Sequence, residues 1–177
     1  MKIARRLRNE NVCEYLLYMW QIEDTLRAYG LDEERIEKEY VSRFPQEGQK
    51  EEAEWLCDLV RMMREENCQQ SGHLQMNKGT LSLLSDVHQE LLHSTKHPFY
   101  SAAYYKALPF IVELRRKGGD SVGELETCLN AMYGVMMLRL QGKEITEETQ
   151  RALGHISHLL ALLSDAWRKD KEGTLEL

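Results

Sequence analysis

The stretch DVHQELLHSTKH, residues 86–97, carries the side chains best suited to hold a metal ion. Taken at 100° per residue, four of them fall on one stripe of a helix: Asp86, Glu90, His93 and His97. Glu90 and His93 have the Glu-x-x-His spacing that projects two ligands from one helix face in di-iron carboxylate bundles. His93 and His97 are four residues apart, which can also suit chelation. One hypothesis is therefore a divalent-metal site on this helix.

A solvated helix face is the alternative interpretation of this stripe. A di-iron site needs a second Glu-x-x-His copy, and neither His155 nor His158 has a glutamate three residues before it. The stripe also lies opposite an apolar face, where water is the natural partner. That apolar face consists of Leu81, Leu84, Val87, Leu91 and Leu92. We therefore predict no cofactor as the first expectation. His88 falls inside the apolar face, where we expect a hydrogen-bonded core histidine.

Charged residues also occur among apolar ones in the segment VCEYLLYMWQIEDTLRAYG, residues 12–30. At the helical period, Glu23, Asp24 and Arg27 fall inside the apolar sector. The solvent strip consists instead of Glu14, Gln21 and Thr25. A buried charge without a partner costs several kcal/mol, so each of these groups is expected to be paired.

The spacing of these charges predicts one pair and leaves one partner open. Glu23 and Arg27 are four residues apart with the acid first, the favoured order for a helical ion pair. Asp24 then needs a partner from another helix, for which Arg115, Arg116 and tyrosine hydroxyls are candidates. Three interpretations remain. They are a structural ion-pair network, a polar pocket lined by these three charges and Trp20, and an end of the bundle that meets water or a second subunit.

The pattern of the whole chain predicts an all-α fold. Apolar residues recur at spacings of three and four, strict alternation is missing, and only 3 prolines occur. We predict a single-domain, irregular antiparallel bundle of six or seven helices over residues 1–170, with a flexible tail over 171–177. The first five predicted helices cover residues 2–29, 32–43, 49–71, 80–96 and 99–117. The sixth opens with a capping box of Ser121 and Glu124 and closes at Gly142, and the seventh starts at Thr146.

Two segments carry further expectations about packing. The helix predicted over 99–117 is apolar on nearly every face, so we expect it at the centre of the bundle, kinked or split at Pro109. Methionines are frequent at predicted core positions: Met62, Met63, Met132, Met136 and Met137. Such methionines fill gaps in a core or form an adaptable binding surface, and the first reading is the commoner one.

Charge and composition bear on partners and location. The net charge of −6 argues against broad binding to nucleic acid or to anionic lipid. The basic start resembles a signal peptide, but polar residues interrupt its apolar core, and no apolar run approaches the length of a membrane span. Four cysteines occur without a C-x-x-C pair, which favours reduced thiols. We therefore expect a cytoplasmic protein that binds neither nucleic acid nor membrane.

No nucleotide-binding loop, H-E-x-x-H or G-x-S-x-G motif occurs, so the sequence offers no catalytic signature. The segment NVCEYLLYMWQIEDTLRAYGLD, with the basic start before it and the helix-rich pattern after it, resembles an uncharacterised family of Bacteroidetes proteins. This is a domain-of-unknown-function family of about this length, and the likeness is most specific at EYLLYMWQIED. The resemblance implies a bacterial, single-domain, helical protein and supplies no catalytic residues.

Three hypotheses about function follow. The preferred one is a non-enzymatic, cytoplasmic interaction or scaffold protein that associates with itself, as a homodimer, or with another protein. The second is a metal-binding bundle or enzyme that uses the stripe of Asp86, Glu90, His93 and His97. The third is a small-molecule sensor with a charged pocket on the first helix.

Overall fold

The computed structural model describes residues 1–118 and 122–177, and within them the chain is helical with no strand. The prediction of an all-α bundle is confirmed. The α-helices of the described residues are α1 (Lys2–Glu10), α2 (Val12–Ala28), a short α3 (Glu33–Arg35), α4 (Gln49–Glu65), α5 (Gln75–His93), α6 (Pro98–Gly118), α7 (Glu124–Leu140) and α8 (Glu147–Lys171). A π-helical turn (Ile36–Tyr40) and a 3-10 turn (Val41–Arg43) follow α3.

The first predicted helix is two helices, because the chain breaks at Asn11. The Asn11 backbone is extended, with φ −153° and ψ 96°, and its side chain accepts a hydrogen bond from the Glu14 amide. Asparagine is a preferred residue at this capping position, because it satisfies an amide that the first helical turn leaves free. The apolar spacing continues across the break, which is why periodicity alone predicted one helix.

The central helix is α2, and the prediction that the helix over 99–117 would be central was wrong. Helix α2 contacts α1, α4, α5, α7 and α8. Its buried residues are Val12, Cys13, Tyr15, Leu16, Met19, Trp20, Ile22, Glu23 and Leu26. Helix α6 packs mainly against α8 and leaves Phe99, Tyr105 and Val112 exposed by 84%, 68% and 55%. The apolar surface of α6 is therefore larger than the area that its neighbours cover.

Pro109 does not split α6, which continues through it to Gly118. A proline inside a helix removes one donor and frees the carbonyl four residues earlier. That carbonyl belongs to Tyr105, whose side chain is exposed, so water can satisfy it.

Two helices end earlier than predicted, and both differences affect candidate sites. Helix α4 ends at Glu65 rather than near residue 71, and Asn67 has a positive φ of 57°. Residues 66–74 therefore form a connection to α5. Helix α5 ends at His93, because Ser94 turns to an extended conformation with ψ 134°. His97 thus lies in the segment between α5 and α6.

The last helix agrees closely with prediction. Thr146 caps α8 by accepting a hydrogen bond from the Thr149 amide at 3.2 Å. The predicted apolar stripe is buried: Leu153, Ile156, Leu159, Leu160, Leu163 and Trp167. After α8, Leu175 packs against the core and the Glu176 carbonyl accepts a hydrogen bond from His97 Nε2 at 2.6 Å.

Two further points concern the helix ends and the membrane. Ser121, one half of the predicted capping box, lies outside the described residues, and α7 begins at its other half, Glu124. In the part of the chain that the structure describes, no helix combines the length and apolar character that crossing a bilayer requires.

Candidate functional site

Glu23 on α2 is fully buried and is held by three donors. Its Oε1 accepts from the Leu74 amide at 3.0 Å and from Asn77 Nδ2 at 2.7 Å. Its Oε2 lies 2.6 Å from Nδ1 of His73, and Asn77 Oδ1 accepts from the Tyr15 hydroxyl at 3.4 Å. A buried carboxylate is tolerated where donors replace its lost water. Since an ionised carboxylate only accepts, the proton of this pair belongs to His73 Nδ1.

Arg27 pairs with Asp24 and not with Glu23, so the predicted ion pair is not formed. Arg27 Nη1 donates to Asp24 Oδ1 at 2.7 Å, its Nε donates to the Cys68 carbonyl at 3.1 Å, and its Nη2 donates to the Gly72 carbonyl. The Asp24 side chain is 48% exposed, which also differs from its predicted place in the apolar sector.

The partner of Asp24 from another helix is a tyrosine hydroxyl, one of the candidates that the sequence left open. Tyr133 on α7 donates to Asp24 Oδ2 at 2.6 Å. Burial, and after it the hydrogen bond to Asp24, raises the pKa of the Tyr133 hydroxyl. The hydroxyl therefore stays protonated and acts as a donor.

Together these contacts form a network that fastens the 66–74 connection to α2, and the bond from Tyr133 to Asp24 joins α7 to the same network. Glu23 accepts a hydrogen bond from Leu74 at the end of the connection, and Arg27 donates to the carbonyls of Cys68 and Gly72 within it. This is the arrangement that a structural ion-pair network has. Glu23 is 0% exposed, so no solute reaches it directly.

A groove nevertheless adjoins the network at Trp20. His73 stacks on the Trp20 ring with centroids 4.4 Å apart, and Tyr133 meets the same ring edge-on at 6.0 Å. The groove has a volume of about 380 Å³. Its lining residues are Trp20, His73, Asn77, Lys78, Leu81, Ser82, Ser85, Gly123 and Glu126. Of the four residues predicted to form a pocket on the first helix, only Trp20 lines it.

The predicted metal-binding stripe is not assembled as a site. Asp86, Glu90 and His93 are exposed on α5, and His93 Nδ1 donates to the Gln89 carbonyl at 2.7 Å. His97 lies beyond the helix and bonds to the C-terminal segment. Over residues 1–118 and 122–177, no three histidine, cysteine or acidic side chains are placed to hold one metal ion.

His88 is a hydrogen-bonded core residue, as expected, and it belongs to a polar cluster between α5, α6 and α7. Its Nδ1 lies 2.5 Å from the Tyr100 hydroxyl, while its Nε2 has no hydrogen-bond partner among the described residues. The Glu124 carboxylate is 3.9 Å from that Nε2 and accepts from the Tyr104 hydroxyl at 3.0 Å. Burial lowers the pKa of His88, and the nearby Glu124 opposes this effect.

The second half of α7 is apolar but is not buried. Every buried residue of α7 lies before residue 130. Residues 130–140, NAMYGVMMLRL, remain half-buried or exposed, with Leu138 at 37% and Leu140 at 67%. Of the five methionines predicted at core positions, Met63 is fully buried, and Met62 and Met132 are partly buried against the core. Met136 and Met137 are half-buried on this half of α7.

Two apolar grooves flank this half of α7. One, of about 530 Å³, lies between α6, α7 and α8 and includes Phe110, Leu114 and Leu138. The other, of about 590 Å³, lies between α2, α7 and α8 and includes Leu17, Met136 and Leu140. The end of α7 thus forms a ridge between two depressions. We call this ridge, residues 130–140, the α7 ridge.

Sequence reasoning missed His73 and Asn77 and did not say which tyrosine would complete the network. His73 and Asn77 lie 50 and 54 residues from Glu23 along the chain, and Tyr133 lies 109 from Asp24. The available signal was the place of Glu23 in the apolar sector of its helix, since a buried acid requires hydrogen-bond donors. Nothing in the local spacing selected which donors they are.

The fold and these groups define an all-α bundle that holds a buried polar network and an apolar ridge. The chain belongs to the family described as "Domain of unknown function (DUF4924)", whose model matches residues 1–174. A search of curated proteins and a search of solved structures each gave no match.

Proposed function

We propose that this protein is a non-enzymatic interaction protein that associates with itself through the α7 ridge, as a homodimer. The observation that carries the proposal is the unburied apolar half of α7. A contiguous apolar patch on the surface of a folded chain commonly marks an interaction site. Methionine side chains in such a patch can adapt their shape to a partner.

A second copy of the chain fits this surface because ridge and grooves lie side by side. Helices pack by seating the ridge of one in the groove of another, and a two-fold interface brings the same patch of both subunits together. Arg139 lines one groove and Glu148 the other, and neither has an ion pair within the described parts of the chain. Two copies can therefore match opposite charges around an apolar centre.

Sedimentation velocity over a wide concentration range tests the proposal. Wild-type protein is expected to be dimeric, and both Met136→Lys and Leu140→Glu are expected to shift it to monomer. Leu83→Glu is the matched control, because Leu83 is 53% exposed on α5 and lines neither groove. A monomeric wild type at the highest concentration, or dissociation in the control as well, would reject the α7 ridge as the interface.

We also infer a cytoplasmic protein from a bacterium of the Bacteroidetes. The four thiols are all unpaired, which suits a reducing compartment, and the segment EYLLYMWQIED supports the assignment of origin. Fractionation of cells that express the native protein checks the location, which would be wrong if the chain were recovered outside the cytoplasmic fraction.

A further inference from the structure

His73 is oriented by Glu23 and leaves one ring nitrogen unused. Its Nδ1–H donates to the buried carboxylate, so Nε2 is the ring nitrogen left for another partner. Nε2 has no partner among the described residues and is not one of their buried unsatisfied atoms. The side chain is 28% exposed and lines the 380 Å³ groove beside Trp20. A carboxylate that holds a histidine through one ring nitrogen fixes the orientation of the ring and the position of the other nitrogen.

Among the described residues, the walls of the same groove carry one charge of each sign. Lys78, from α5, and Glu126, from the first turn of α7, both line it. Neither forms an ion pair or side-chain hydrogen bond with another described residue. Ser82 and Ser85 follow Lys78 on the same face of α5 at helical spacing and add hydroxyl groups. Glu126 is half-buried, and its carboxylate accepts no hydrogen bond from another described residue.

We propose that this groove binds a small zwitterion, a free amino acid or a molecule of the same chemistry. Glu126 would bind the ammonium group, Lys78 would bind the carboxylate, and His73 Nε2 would form a hydrogen bond with the ligand. A volume of 380 Å³ lies within the range of metabolite sites. This inference uses neither the α7 ridge nor self-association, so it stands apart from the proposed function.

The balance of charge selects this ligand class over others. A simple anion would be attracted by Lys78 but repelled by the Glu126 carboxylate. A simple cation would be attracted by Glu126 but repelled by Lys78. A metal ion lacks ligands, because within the described residues no three suitable side chains come together. A molecule that carries both charges satisfies both walls at once.

Saturation-transfer NMR with an equimolar mixture of the standard L-amino acids tests the site, and calorimetric titration with the amino acids that respond gives their affinity. We expect at least one to bind. The affinity is expected to fall about ten-fold in Lys78→Met and in Glu126→Gln, because each removes a hydrogen bond to a charged group. In a two-bond ¹H–¹⁵N spectrum of the histidines, the ligand is expected to displace the Nε2 resonance of His73.

The controls separate this site from a non-specific surface. Lys106→Met and Glu90→Gln remove an exposed charge of each sign outside the groove and are expected to leave affinity unchanged. Acetate and methylammonium serve as probes of a single charge. The proposal is overturned if no amino acid responds, if the control variants weaken binding as much as the groove variants, or if acetate or methylammonium binds as tightly as the zwitterion.

Discussion

At the scale of single residues, Glu23 shows how an acid can be an obligatory part of a core. Its three donors come from the end of the 66–74 connection and the first turn of α5, which places the carboxylate between two elements. The satisfied network adds modestly to the free energy of unfolding. A buried donor that is left without its acceptor lowers that free energy by more.

We therefore predict that Glu23→Gln destabilises the protein by about 1–3 kcal/mol, because the amide nitrogen would face donors instead of accepting from them. Asp24→Asn is expected to cost under about 1 kcal/mol, because Asp24 is 48% exposed and its ion pair with Arg27 is screened by water. Chemical denaturation measures both. Equal effects from the two substitutions would contradict the distinction between the buried and the exposed acid.

His88 gives the molecule a specific response to acid. Burial lowers its pKa in the folded state below the ordinary value of 6.5. As the pH drops below about 6.5, the histidine of the unfolded chain is protonated before that of the folded chain. The free energy of unfolding therefore falls, by at most about 1.4 kcal/mol per pH unit. The same contribution is fully present above that pH.

His88→Gln is expected to flatten this pH dependence, since glutamine can still bond to the Tyr100 hydroxyl and does not titrate. Unfolding free energies measured from pH 7 downward test this. His93→Gln is the control, because His93 is exposed. A slope in His88→Gln as steep as in the wild type would show that other groups govern the acid response.

At the scale of elements, the predictions were most accurate where one face is clearly apolar. The α8 stripe and the Thr146 start were both predicted and observed. The break at Asn11 and the ends of α4 and α5 were not, because helix boundaries depend on capping and tertiary contacts that apolar spacing does not record. His97 left the predicted metal stripe for this reason alone.

The Asn11 cap is expected to contribute measurably to stability. Its Oδ1 accepts from the Glu14 amide at 3.1 Å and from Ser164 Oγ at 2.8 Å, which links the start of α2 to α8. Asn11→Ala is expected to cost about 1 kcal/mol or somewhat more, while Asn11→Asp keeps both acceptor roles and is expected to cost less. Thermal unfolding of the two variants compares them, and an aspartate variant no better than alanine would argue against the cap.

At the scale of the whole molecule, composition predicted the class of fold but not the order of packing. Helix α6 looked central because it is apolar on most faces, yet α2 occupies the centre. Apolar content says how much surface a helix can bury and not whether neighbours reach it. A structural network that includes Glu23 was one of three interpretations of the sequence, although the predicted pair with Arg27 is not formed. The groove of His73, Lys78 and Glu126 could not be predicted, because it joins three separate elements.

The central place of α2 has a direct energetic consequence. Leu16→Ala is expected to cost about 2–5 kcal/mol, because Leu16 is 0% exposed and its removal leaves a cavity between several helices. Leu83→Ala, at an exposed position on α5, is expected to change stability by less than about 0.5 kcal/mol. Denaturant unfolding of both variants makes the comparison, and a small loss in Leu16→Ala would mean that α2 is less tightly packed than described.

The hydrogen bond between Glu23 and the 66–74 connection also affects the exchange of amide protons with solvent. Amide protons in connections usually exchange with deuterium quickly, through small local openings. The Leu74 amide is different, because it precedes α5, is fully buried and donates to a carboxylate that water does not reach. Its proton is therefore expected to exchange about as slowly as those in the middle of α2, so that a non-helical position would report the global unfolding of the domain.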